Sequence, residues 1–344
     1  MTTAAAAPSR RMAIDFGRWR GPIVVAGFLL AAYALMVVSA GAQAQDQFIN
    51  ALTIGAVYAL IALGYTMVYG IIELINFAHG EIFMCGSFVS WWLLTTLGFT
   101  GAIGDPLVLG GVLVLTFITA MVVMGIVGVV IERVAYRPLR NAPRLAPLIT
   151  AIGVSFILQN IIFVTISNSI VTIPQILPNT ALTFGPIAIR QINLFVIVLA
   201  LGLMVALQVF VRRTTLGRAM RSTAMDREAA QLMGVDINST IALTFFIGSA
   251  LAGAAGVVQG LYFGVTHFQI GFQAGLKAFT AAVLGGIGNT TGAAIGGFVI
   301  GFIEVLASSF GYGRWSEAAV FGTLILVLIF RPTGILGQQL ADRA

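Results

Sequence analysis

Apolar residues run along this chain in long unbroken blocks separated by short polar stretches. The blocks are Ile23–Ala40, Phe48–Ile72, Ile82–Leu97, Leu107–Ile131, Leu148–Ile170, Ile192–Val211 and Thr240–Phe263. Three less regular ones follow, Ala274–Gly288, Thr290–Phe310 and Ala318–Phe330. Most approach or exceed the roughly 20 residues that carry a helix across a bilayer. They are continuous rather than alternating at every second residue, which argues against a transmembrane β-barrel. The pattern predicts an all-α fold, a polytopic transmembrane helical bundle of about 8–10 hydrophobic elements. Ala274–Gly288 and Ala318–Phe330 are short for full spans, so broken or re-entrant helices are admitted wherever their backbone is buried in protein or lines a cavity. Segments 48–170 and 240–330 carry matching spans in opposite directions, the arrangement of an inverted repeat.

The first block follows a basic stretch and ends near Ala42-Gln43-Ala44, a small-x-small pattern of the kind a signal peptidase cuts. Residues 1–45 are therefore a signal-like or extra transmembrane segment, 46–337 the transmembrane domain and 338–344 a tail. Residues 171–190 hold three prolines, Pro174, Pro178 and Pro186, and predict an irregular or short-stranded loop.

Composition agrees with the pattern. Mean hydropathy is +1.01, and only 9% of residues are charged, against about 25% in soluble domains. The net charge of +6 is not a nucleic-acid footprint. Arginines cluster at 10, 11, 18 and 20, at 133, 137, 140 and 144, at 212, 213, 218, 221 and 227, and at 331 and 343; only Arg190, Lys277 and Arg314 fall elsewhere. Placing the four clusters in the cytoplasm satisfies the positive-inside rule. The single cysteine, Cys85, excludes a disulfide framework.

Two histidines, one cysteine and scattered carboxylates give no metal cluster and no Cys/His dyad, and no HExxH, GxSxG or GxxxxGK[ST] occurs. No catalytic residue, no metal site and no cofactor is expected, and the chain is not read as an enzyme. Polar residues inside a membrane are costly and tend to serve function. Asn76, His79 and Glu81 lie between two spans, and Glu304 lies within one, so these four are candidates for a substrate pathway. The competing reading makes 73–81 a solvated turn. Gln159 and Asn160 fit interhelical hydrogen bonding. Gly256 and Gly260, then Gly288, Gly292 and Gly296, recur four apart and give smooth helix faces for close packing.

Residues 212–238, RRTTLGRAMRSTAMDREAAQLMGVDIN, form a polar basic island. Within it, Glu228-Ala229-Ala230 followed by Gly234 resembles the coupling motif of ABC importer permeases, in which a short helix packs into a cleft of an ATPase subunit. Glu228 and Arg227 would sit on an exposed helix, Ala229 and Ala230 would keep its face shallow, and Gly234 would permit a chain reversal. Arg221 and Asp226 complete the candidate coupling set.

Longer stretches extend the likeness: ALIALGYTMVYGIIELINFAHGEIFM (59–84), IERVAYRPLR (131–140), LGRAMRSTAMDREAAQLMGVDIN (216–238), FQAGLKAFTAAVLGGIGNTTGAAIGG (272–297) and RPTGILG (331–337). From about residue 48 to 337 the chain resembles the branched-chain amino acid ABC transporter permeases of the LivH type. The resemblance implies one permease subunit of an importer in the bacterial inner membrane, moving leucine, isoleucine or valine. The implied partners are a homologous second permease, two cytoplasmic ATPases that hydrolyse ATP with magnesium, and a periplasmic binding protein, with membrane lipid around them. Urea and short-chain amide permeases share much of the pattern and remain the alternative. A stand-alone small-solute channel would need no island, and a membrane enzyme would need a reactive cluster.

Overall fold

The computed structural model describes residues 16–140, 142–143, 145–178, 180–185 and 187–337. The tail at 338–344, the first fifteen residues and Arg144 lie outside the described residues. The helices are α1 (Phe16–Ala40), α2 (Ala44–Ile72), α3 (His79–Thr96), α4 (Pro106–Ile131), α5 (Leu145–Thr165), α6 (Gln191–Arg213), α7 (Thr215–Met225), α8 (Arg227–Leu232), α9 (Ile237–Phe263), α10 (Ile270–Gly285), α11 (Thr290–Ser309) and α12 (Ser316–Phe330). Seven helical stretches among the described residues are long and apolar enough to cross a membrane, with α1 and α2 taken as one.

Local chemistry marks the ends. Asp105 opens α4 by accepting the Leu107 N–H at 2.9 Å, with Pro106 at the first helical position, where its missing N–H costs nothing. α1 and α2 are joined by only three residues, yet the chain bends back there. The Phe28 and Phe48 rings lie 5.7 and 5.2 Å from the same Phe302 ring, whereas twenty residues of straight helix would hold them about 30 Å apart.

The centre of the bundle is α2 and α9, buried along most of their lengths. They run antiparallel: the Asn50 side chain meets Tyr262 near one end, and Gly64 meets Gly248 near the other. α11 lies along α2 and α4 lies along α9, the two most extensive pairings. Exchanging α2 with α9, α3 with α10 and α4 with α11 turns one pairing into the other, as an inverted repeat requires. Around this core, α4, α5, α6 and α12 turn apolar side chains outward, among them Ile126, Phe156, Val164, Val198 and Ile329. An apolar surface of that extent needs lipid to cover it.

Residues 171–190 hold short strands, as the sequence suggested. β1 (Val171–Thr172) pairs antiparallel with β4 (Val265–Thr266), and β2 (Ala181–Phe184) forms a hairpin with β3 (Ile187–Arg190).

The polar stretch 73–81 is not a solvated turn. α2 ends at Ile72, with Glu73 in the left-handed region at φ 54°. The chain then climbs back, so that α3 begins with His79 against Gly64 and Tyr65, more than two turns back along α2. His79 and Glu81 are fully buried and Asn76 nearly so. α10 is the short helix the sequence singled out. Its N-terminal turn meets that of α3: a methyl group on Gly80 would stand 2.3 Å from the Gly271 carbonyl oxygen. Two helices therefore start inside the bundle with their N-termini together; α3 joins α10 in this although its apolar run is nearly long enough to span.

Candidate functional site

Where α3 and α10 meet, the geometry concentrates polar groups. Glu81 lies in the first turn of α3, and its Oε1 accepts hydrogen bonds from Ser155 Oγ at 3.0 Å and Gln159 Nε2 at 2.7 Å. Its Oε2 has no partner and rests against Gly271, where a side chain would collide with it at 2.3 Å. The positive dipole ends of the two adjoining helix N-termini favour a carboxylate there. The His79 ring is 4.6 Å from Tyr65 and fills space that any side chain at position 64 would occupy. Neither of its nitrogens has a hydrogen-bond partner. Asn76 Oδ1 accepts from Tyr136 Oη at 2.8 Å, while its Nδ2 is unpaired. Asn76, His79 and Glu81 thus belong to one buried region.

Glu304 belongs to a different one. Its carboxylate accepts from Lys277 Nζ at 2.8 Å and from Tyr58 Oη at 2.7 Å, with Glu317 3.9 Å from the same lysine. Sequence reasoning treated Lys277 only as a charge outside the clusters. A lysine in an apolar helix that lies next in the chain to one holding a lone glutamate was the available signal. Of the two mid-span amides, Gln159 reaches another helix, whereas Asn160 bonds within α5 to the Phe156 carbonyl.

The island folds as two helices joined at Asp226, whose carboxylate caps α8 by accepting the Ala229 N–H at 3.0 Å. Asp236 caps α9 in the same manner, and hydrogen bonds from the Ser239 hydroxyl and backbone hold its carboxyl below the usual carboxylate range. Gly234 takes φ +86°, a left-handed conformation that reverses the chain between α8 and α9. Glu228 and Ala229 are exposed, while Ala230 is buried. Arg227 corrects an expectation. It is half-buried rather than displayed, and its Nη2 donates to the Ile71 carbonyl at 2.6 Å. That bond satisfies one of the orphan carbonyls at the end of α2 and ties the island to the core helix. Arg221 stays exposed and donates to the Val211 carbonyl near the end of α6. The exposed apolar side chains Leu232 and Met233, on the outer side of the island, had no signal in the charge pattern.

The recurrent glycines divide. At Gly256, Gly292 and Gly296 an added methyl would come within 2.2, 2.2 and 2.0 Å of a backbone oxygen of the neighbouring helix or turn. At Gly260 it would meet the Ile173 side chain. Gly288 does not pack: it has open space around it and φ +87°, so it serves the turn between α10 and α11.

An all-helical bundle with lipid-facing flanks, two helices starting inside it and a polar capped island on one face defines a polytopic membrane transport protein. The chain belongs to the family described as branched-chain amino acid transport system / permease component, which matches residues 47–329. It is similar to the high-affinity branched-chain amino acid transport system permease protein BraD of Pseudomonas aeruginosa, 45% identical over 87% of this chain and 97% of the relative. The LivH permease of the same description from Escherichia coli is also 45% identical, with the same coverage. A more distant likeness, 32% over 42% of this chain and 43% of the relative, is to the autoinducer 2 import system permease protein LsrC of Klebsiella pneumoniae. No solved structure matches. These relatives are transport permeases, not enzymes.

Proposed function

We propose that this protein is one permease subunit of an ATP-binding-cassette importer that carries branched-chain amino acids inward across a bacterial inner membrane. The observation that carries the reading is the 45% identity to BraD and LivH over almost their whole lengths. In this reading residues 46–337 form the permease domain, and 1–45 an added segment. A homologous second permease completes the pathway, a periplasmic binding protein delivers the solute, and two cytoplasmic ATPases hydrolyse ATP with magnesium. The arginine-rich ends and loops, the island among them, face the cytoplasm.

The island docks on the ATPases through Glu228, Ala229 and the exposed Leu232 and Met233, with Asp226 and Gly234 setting its shape. Arg227 and Arg221 tie it to α2 and α6, so a displacement of the island is transmitted to a core helix. Solute passes the region of Asn76, His79 and Glu81, where buried polar groups lack partners; Glu304 with Lys277 forms a second polar layer. Alternating access then follows from tilting one half of the inverted pair against the other. A urea or short-chain amide would travel the same scaffold. LsrC, named for a different solute, supports a scaffold that does not itself dictate cargo.

The test uses Glu228→Arg and Gly234→Pro in the assembled transporter. Proline cannot take φ +86° and removes the N–H that Gly234 donates to Gln231. Both variants should insert normally yet lose co-purification with the ATPases or substrate-stimulated ATP hydrolysis in reconstituted vesicles. Normal binding and stimulation in both would reduce the island to a solvated loop.

A further inference from the structure

A cavity of about 460 Å³ opens between the island, the end of α2 and the segment that follows α4. That volume falls within the roughly 300–1,000 Å³ usual for small-molecule sites. One side is apolar, built by Ile71, Ile72, Ile241 and Phe245. The charged side carries four carboxylates, Glu73, Glu132, Asp226 and Glu228, against two guanidiniums, Arg140 and Arg227. The recess is acidic, whereas the rest of the island is rich in arginines such as Arg212, Arg213 and Arg218.

Some of these groups are committed. Arg140 pairs with Glu132 Oε1 and reaches Asn238 at 2.6 Å, and Arg227 holds the Ile71 carbonyl. Glu132 Oε2 is not: its side chain is 1% exposed and the atom has no partner. A buried carboxylate oxygen without a donor is costly, and an ammonium group would relieve it. Each guanidinium retains N–H groups beyond those used, which suit a carboxylate. Ammonium acceptor, carboxylate donor and apolar wall side by side are the complement of an α-amino acid with an aliphatic side chain.

We propose that this recess is a second amino-acid site, on the island side of the protein, whose occupation slows transport. The inference rests on the proposed function for its solute class. The recess is separate from the intramembrane polar region, with Tyr136 standing between them: its ring lines the recess and its hydroxyl bonds Asn76. Its walls are on one side the island at 223–228 with the end of α2 that Arg227 ties to it, and on the other α9 and the segment after α4. A ligand bridging them stabilises this one arrangement in proportion to its concentration over its dissociation constant. The coupling stroke must change that arrangement, so accumulated product would restrain its own import.

Two measurements on the full transporter complex test this. The first is equilibrium binding of radiolabelled leucine to the detergent-solubilised complex without ATP or binding protein. The second is initial leucine uptake into vesicles preloaded with unlabelled leucine, with 4-methylpentanoate, which lacks the ammonium group, or with buffer. Ala142→Trp fills the recess and Glu73→Gln weakens its acidity; neither residue is in the coupling set. Preloaded leucine should slow wild-type uptake several-fold, and 4-methylpentanoate should not. Both variants should lose that sensitivity while importing at wild-type rate into buffer-loaded vesicles, and Ala142→Trp should lose leucine binding. Wild-type uptake indifferent to internal leucine, or equal sensitivity in both variants, overturns the proposal. Binding that Ala142→Trp removes, in a complex that imports no leucine, would sustain the site and sink the proposed cargo instead.

Discussion

Gly256→Ala adds one methyl group at the place where α9 crosses α3. That methyl would stand 2.2 Å from the Phe83 carbonyl oxygen and 2.7 Å from the Ser87 nitrogen. A carbon needs roughly 3.3 Å from a carbonyl oxygen, so the helices must part by about 1 Å. Both obstacles are backbone atoms, and no rotamer change relieves them. A gap of that size forfeits about a quarter to a half of each dispersion contact along the interface, and overpacked sites lose roughly 1–3 kcal/mol. Because only backbone can yield, the upper end applies. Alanine returns about 1 kcal/mol of helix propensity, leaving a net loss of about 2 kcal/mol. The assay is thermal unfolding of the detergent-solubilised protein followed by fluorescence-detected size exclusion, where the midpoint should fall by on the order of 4 °C. Gly202→Ala is the control. It lies on α6 with nothing within 4 Å of its added methyl, so its midpoint should hold or rise. A Gly256→Ala protein as stable as wild type would refute the claim that backbone contact sets the α9–α3 spacing.

Lys277→Met strands the Glu304 carboxylate and should destabilise the protein by roughly 3–5 kcal/mol. Adding Glu304→Gln keeps an acceptor for Tyr58 and should recover most of the loss in the same unfolding assay; no recovery would mean the lysine acts through packing alone. Tyr136→Phe leaves the Asn76 amide without its hydrogen bond and should cost about 1–3 kcal/mol, read as a lower unfolding midpoint, with an unchanged midpoint counting against the bond. For topology, cysteine at Met233, which is 85% exposed, should resist membrane-impermeant thiol reagents in intact cells, whereas cysteine at Thr183 in the β2–β3 hairpin should react. Labelling at Met233 from outside would invert the orientation.

Much of this protein is legible in the chain alone. Runs of apolar residues longer than a bilayer is thick admit only helices, because backbone groups have no other partner in lipid. The island, its reversal at Gly234 and the short strands of the proline-rich segment 171–190 are local properties of residue type, and they appear where the sequence placed them. Tertiary structure alone decided which helices start inside the bundle. Hydropathy counts residues but is blind to depth, so α3 reads as a span and 73–81 as a turn, until Gly64 and Gly271 leave room for His79 and Glu81. It likewise decided that Arg227 turns inward to Ile71 and that Lys277 meets Glu304 across helices. Such pairings depend on which helix lies beside which, and a one-dimensional pattern holds charges without holding the distances between them.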